Sequence, residues 1–253
     1  PIDYRDSTVV NVPRNLSLLI YKAIFTDGGY LRFFFKSLGL SLGVAVLQTL
    51  SCCLVGYGLA KFKFRGSKII FFAVILTLVV PHGTLQAAIY NYFSKLSLLN
   101  TIVPLLLLSI TALAFKNGLY IFLLRQFFRG VPDELEESAY LDGANTFRTF
   151  IQVILPISVP MMITVFLFSF CWQWTDDFYL NLFFISTPKP EFMAFITDKE
   201  LTSLVVTATQ AGGAFETAQS YAFGLMACIP LIILFLFCQK YLVQGIERSG
   251  IVG

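Results

Sequence analysis

Charge is scarce in this chain of 253 residues. Asp, Glu, Lys and Arg make up 13% of it, about half the share that a water-soluble domain carries. With 57% of its residues hydrophobic and a mean hydropathy of +0.75, the chain lacks the polar groups to cover a surface in water. Its solvent must be largely lipid. Histidine is almost missing as well: His82 stands alone, and no Cys/His spacing remains from which to build a metal site. Cys52, Cys53, Cys171, Cys228 and Cys238 are odd in number, include an adjacent pair and lie in apolar runs. They read as small hydrophobes, which excludes a disulfide framework. A net charge of +3 is too small to point to nucleic acid. No nucleophile–base pair, phosphate-binding loop or nucleotide motif occurs, so no catalytic residue is assigned.

What is abundant is long apolar sequence. A helix needs about 20 apolar residues to cross the hydrocarbon core, and five stretches qualify, over about 34–60, 69–93, 102–124, 151–174 and 221–241. Each is too long and continuous for a buried strand, and the alternation of an outer-membrane barrel is absent. Helical spans are the reading that satisfies every backbone group in lipid. The expected fold is therefore an all-α, multi-pass membrane protein in a single transmembrane domain over 1–253. Pro81, Pro104, Pro156 and Pro160 fall within or near spans, where neighbouring helices can satisfy the freed carbonyls. Pro81-His82-Gly83 should kink or unwind the second span. Such a break could line a solute pathway or be a packing kink.

Orientation follows from basic residues. The short turn from Lys61 to Lys68 holds four of them and no acid, which places it in the cytoplasm. Alternation then puts 94–101 outside, 125–150 inside, 175–220 outside and the tail inside. Arg32 and Lys36 fall on the outer side, and the 125–150 loop carries more acids than bases, but acids contribute little to the rule. The first 32 residues are polar and mixed, with a short amphipathic stretch from Asn15 to Phe25 that suits the outer interface. A start outside with no signal peptide implies that an earlier span precedes this numbering.

The most informative segment is the polar connection 125–150. Pro132, Asp133 and Glu134 form a good helix start, because proline suits the first turn and acids favour the positive end of the dipole. Leu135, Ser138, Ala139 and Asp142 fall on one stripe of mostly short side chains. Gly143 can take the left-handed conformation that ends a helix, and Asn145 or Thr146 can cap the next. The second helix should run through Leu155-Pro156 into the fourth span. A bent two-helix element with a small-residue face suits docking rather than catalysis.

Glu137-Ser138-Ala139, Asp142-Gly143-Ala144, Phe150 and Leu155-Pro156 together resemble the EAA loop of ABC importer permeases. The family pattern is E-A-A-x-x-D-G-A followed by L-P, and serine here replaces the first alanine. The similarity extends along the chain to the carbohydrate (maltose-type) branch: Leu16 to Tyr21, Leu123 to Phe128 and Phe235 to Gly245 look like that branch's outer segment, its approach to the loop and its last helix. The tail Ser249 to Gly253 departs from the family by lacking a lysine near its end.

The resemblance implies a polytopic helical bundle of the ABC importer permease type, with five spans in this numbering and a first span missing. It implies a multi-pass subunit in the cytoplasmic membrane of a prokaryote, forming half of the pathway for a sugar or oligosaccharide. Its partners would be a second permease subunit, two ABC ATPase subunits and an extracytoplasmic solute-binding protein. This chain would bind no cofactor, with ATP and Mg held by the ATPase. The loop would be the coupling helix seated on that ATPase. The resemblance leaves a permease for a non-sugar solute as the alternative. A stand-alone secondary transporter would need inverted repeats and ion-coupling residues that the sequence does not display.

Candidate pathway residues are fewer and less specific. Lys116 and Asn117 interrupt the third apolar stretch. An ionisable group at that depth faces protein or a water-filled cavity; the alternatives are a helix irregularity or a lysine that snorkels to an interface. His82 sits at the break in the second. Trp172, Trp174, Asp176 and Asp177 cluster at the outer end of the fourth, with Trp172, Trp174 and Asp177 as pathway candidates. Aromatic faces beside carboxylates suit sugars, while an interfacial aromatic belt has the same composition. The outer loop carries Gly212 and Gly213 within 207–214, a reach toward the solute-binding protein or a flexible turn.

Overall fold

The computed structural model describes residues 18–26, 29–114, 116–186, 189–195 and 216–250. The expectations for 1–17, most of the outer loop including Gly212 and Gly213, and 251–253 fall outside the described residues. Among those described, every regular element is helical. The chain divides into two compact units, Pro1–Leu40 with Ser186–Leu234, and Ser41–Ile185 with Phe235–Gly253.

The α-helices among the described residues are α1 (Leu19–Thr26), α2 (Tyr30–Lys61), α3 (Ser67–Val79), α4 (His82–Lys95), α5 (Val103–Ile110), α6 (Asn117–Arg129), α7 (Glu134–Leu141), α8 (Thr146–Thr149), α9 (Leu155–Trp174), α10 (Phe178–Phe183) and α11 (Glu216–Gly250). A π-helical turn, Phe150–Ile154, joins α8 to α9. Among the described residues, three helical runs are long and apolar enough to cross a membrane: Tyr30–Lys61, Thr146–Trp174 and Tyr221–Leu242.

The second and third apolar stretches are not single helices. Helices α3 and α4 bend by 106° at their junction. The cause is local: a residue before proline is driven into extended backbone, and Val80 there has φ −68° and ψ 120° ahead of Pro81. The third stretch, expected as one helix over 102–124, is two. α5 ends at Ile110 and α6 begins at Asn117, with Ala112 at φ 58° and Lys116 at φ 65° between them. Left-handed backbone at non-glycine residues is uncommon and costs energy. Packing around the break must therefore hold it in place.

In the first unit, the Tyr30 hydroxyl donates to the Met226 carbonyl at 2.9 Å. Arg32 and Lys36 both pair with Glu191, and the Met193 amide donates to Ser37 Oγ at 2.8 Å. The core of the second unit gathers Cys52, Cys53 and Tyr57 of α2, Tyr120, Leu124 and Phe128 of α6, and Phe150, Ile154 and Met161 beyond the polar loop. Tyr57 is its aromatic centre, with ring centroids 5.5 Å from Phe128 and 4.7 Å from Phe150. α2 and α6 come close because Gly56 has no side chain: a Cβ there would lie 2.9 Å from Leu124 Cβ. Small residues at helix crossings are how backbones approach in lipid. By contrast, α3 has no buried residue, and only 11% of the α11 span is buried.

Candidate functional site

The polar loop folds as two short helices around a tight turn. α7 starts just after Pro132, with Glu134, Glu136 and Glu137 in its first turn, where carboxylates complement the helix dipole. It ends in a left-handed residue, Gly143 at φ 82°. Around that residue the Ala144 amide reaches back to the Ala139 carbonyl at 2.9 Å, and the Gly143 amide donates to Tyr140 at 3.0 Å. This pattern satisfies carbonyls that a helix end leaves open. Asn145 opens the next helix, its Oδ1 accepting from the Arg148 amide at 2.8 Å. The π turn follows. Pro156 has no amide to give and its ring would press on the Gln152 carbonyl in a regular helix. The chain winds wider instead, and the Leu155 amide donates to Phe150, five residues back.

The loop presents one face and anchors the other. Glu137, Ser138, Asp142 and Gly143 are exposed, Ala139, Ala144 and Leu155 are half-buried, and Pro156 is exposed. On either side of the glycine, Leu141 is 89% exposed and Phe147 is 72% exposed. Underneath, Glu136, Thr149 and Phe150 are buried. Lys61, the last residue of α2, donates to the Val131 carbonyl at 2.7 Å and pairs with Asp133 and Glu136. The ammonium holds the Asp133 carboxyl below the ordinary carboxylate range, through the hydrogen bond first and the charge second. Arg125 adds a second tie: its Nε donates to the Leu59 carbonyl at 3.3 Å, and its guanidinium lies 3.8 Å from the Phe71 ring centre.

A cavity of about 740 Å³ opens where the two broken stretches meet. Its wall includes Thr77, Pro81, His82, Lys116, Asn117 and Asp176. Irregular backbone at membrane depth is tolerated only inside protein or along such a cavity. Both breaks have that setting. His82 Nδ1 lies 3.2 Å from the Tyr179 hydroxyl, and Lys116 Nζ lies 4.5 Å from the centre of the Trp172 ring. A much smaller void of about 20 Å³, walled by Gln48, Ser109, Ser169 and Asp176 among others, sits beside it. That is room for one water. Ser169 Oγ donates to Gln48 Oε1, and Ser51 Oγ to the Ser109 carbonyl at 2.7 Å.

The structure thus brings His82, Lys116 and Asn117 to one cavity and Trp172 to its edge through Lys116. Trp174 is buried instead, stacked on Phe170 at 5.8 Å. Asp177 is exposed and opens α10, its carbonyl accepting from Asn181. The carboxylate on the cavity is its neighbour Asp176, which accepts from the Tyr179 amide at 3.1 Å and from Gln173 Nε2 at 3.4 Å. Sequence reasoning placed Asp176 in the cluster but took Asp177 as the candidate, and it did not single out Tyr57, Glu136 or the pairing of Lys61. The basic turn signalled orientation, but nothing local tells that Lys61 meets Asp133, 72 residues away, and Glu136 beyond it.

Comparison with known proteins agrees with this architecture. The chain is 28% identical to the arabinooligosaccharides transport system permease protein AraQ of Halalkalibacterium halodurans, over 97% of this chain and 83% of that protein. It is 26% identical to the trehalose transport system permease protein SugB of Mycobacterium tuberculosis, over 96% and 84%. The alpha-glucoside transport system permease protein AglG of Rhizobium meliloti matches at 28% over 95% of this chain and 62% of that protein. Its fold is shared with a chain of a bacterial ABC transporter involved in the import of the acidic polysaccharide alginate, with a TM-score of 0.74 at 20% identity, covering 91% of this chain and 81% of that one. Residues 53–248 match the binding-protein-dependent transport system inner membrane component. That match takes in most of the chain, the polar loop and the cavity included, and the protein belongs to this family of membrane-embedded transport subunits.

Proposed function

We propose that this chain forms half of the translocation pathway of an ATP-driven importer for a sugar or oligosaccharide, and that its 125–150 loop couples it to an ATPase subunit. The sugar assignment rests on the relatives, whose names specify arabinooligosaccharides, trehalose and alpha-glucosides. The partners are a second permease subunit, two ATPase subunits that carry ATP and Mg, and a solute-binding protein outside a prokaryotic cell membrane. The cavity walled by His82, Lys116 and Asp176 is this subunit's share of the pathway.

One observation carries the coupling role. The loop is ordered, tied down from beneath, and bare on top, with Leu141 and Phe147 exposed on either side of Gly143. Large exposed apolar side chains rimmed by acids mark a protein contact. A groove on the ATPase that takes this knuckle would move it as the ATPase dimer closes, and the spans would rock about the cavity.

Replacing Gly143 with valine tests this. A β-branched residue at φ 82° is strained by about 1–3 kcal/mol, and nothing crowds its side chain inside the chain. In membrane vesicles holding the whole transporter, uptake should fall roughly tenfold, a typical loss when one coupling element is displaced, while the spans stay inserted and ATP is still hydrolysed. Unchanged uptake would count against the docking role.

A further inference from the structure

The four basic residues of the turn after α2 do not share one fate. Lys63, Arg65 and Lys68 are exposed, as expected of charges that face water and headgroups. Lys61 is not: its side chain is 7% exposed, and that of its partner Glu136 is 11% exposed. The ammonium meets three oxygens from residues 131–136 of the loop. It donates to the Val131 carbonyl at 2.7 Å and to Asp133 Oδ1, and lies 3.5 Å from Glu136 Oε1. A buried ion pair contributes little net stability, because desolvation offsets the attraction, but its geometry is specific. The 32-residue helix α2 is thus tied at its tip to the first turn of α7. The same tie uses two of the loop's acids and leaves Glu134, Glu137 and Asp142 facing outward.

We propose that Lys61 is a positioning residue that locks the loop to the end of α2, so that a displacement of the knuckle moves this span and not only the α9 span to which the loop is covalently joined. The inference rests on the docking role given above. Without the lock, a pull on the loop would be taken up at the loop's base, where Gly130 and Pro132 flank Val131. ATP would be spent without moving α2.

The test uses the complete transporter in membrane vesicles, reading uptake per ATP hydrolysed and the ATPase that co-purifies. Lys61→Met alone leaves Glu136 buried without its counter-charge, so assembly itself can suffer. The apolar pair Lys61→Met with Glu136→Met removes both charges and should assemble, since such replacements are often neutral for stability. Its uptake per ATP should drop about tenfold, within the range that a displaced coupling residue produces. Lys61→Arg should keep the ratio near that of the unsubstituted chain. A normal ratio in the apolar pair, with ATPase retained, would overturn the lock alone. Failure of the apolar pair to assemble would also overturn it, by making the lysine a folding requirement. If no ATPase co-purifies with the unsubstituted chain, the docking reading falls and takes this inference with it.

Discussion

The polar loop and the break between α5 and α6 both reverse or bend the chain through left-handed residues, yet by opposite means. In the loop the left-handed position is Gly143, where such backbone is free of steric cost, and a capping asparagine follows two residues on. At the cavity the left-handed residues are Ala112 and Lys116, whose side chains resist that conformation. The first turn is written in its own residues. The second is imposed by what surrounds it, and the energy stored there is the cost of having a cavity at that depth. Water can solvate a loop that folds badly, but lipid cannot, so a break inside the membrane must be over-determined by packing.

The comparison is open to attack at its strongest point, Gly118. A Cβ on this residue at the start of α6 would run into Thr77 Oγ1 and lie 2.9 Å from the Val74 carbonyl. Because one obstacle is backbone, relief requires α6 to back away from α3. Gly118→Ala should destabilise the protein by about 2–3 kcal/mol, the upper part of the range for overpacking a tight contact, seen as a lower melting temperature in detergent. Tolerance of alanine there would mean that the break is looser than its geometry implies.

Removing the loop's local signal should cost less. Asn145→Ala deletes the cap on the Arg148 amide and should lower stability by about 1 kcal/mol, measured the same way. An effect as large as that of Gly118→Ala would place the loop under tertiary control and collapse the distinction. Smallest, and opposite in sign, is Ala112→Gly. With φ at 58°, glycine relieves the strain but loosens the unfolded chain, for a net gain of roughly 0.5–1 kcal/mol. A loss of stability would show that Ala112 is not strained.

Legibility from sequence follows the same division. Helix starts, the glycine stop, the asparagine cap and the run into α9 could all be read, since each is set within a few residues. The split of the second stretch was signalled by Pro81. The split of the third was signalled only by the polar pair Lys116 and Asn117, which suited an irregular helix as well as a pathway, since no proline or glycine marks 111–116. The choice of Asp176 over Asp177 for the cavity is a matter of where α9 ends and α10 begins, one residue that no pattern resolves. Long-range ion pairs such as Lys61 with Glu136 leave no local trace at all.

The π turn from Phe150 to Ile154 has a geometric corollary. An α-helix advances about 100° per residue, and a turn that closes five back inserts one surplus residue into that count. Side chains before the bulge are therefore offset by one such step from where an unbroken helix would aim them. Deleting a residue there would re-index the knuckle against the span like a nut given a fraction of a turn, with neither part refolded. Two chains with identical motifs that differ by a single residue in this bulge would aim the same acids in different directions relative to the α9 span.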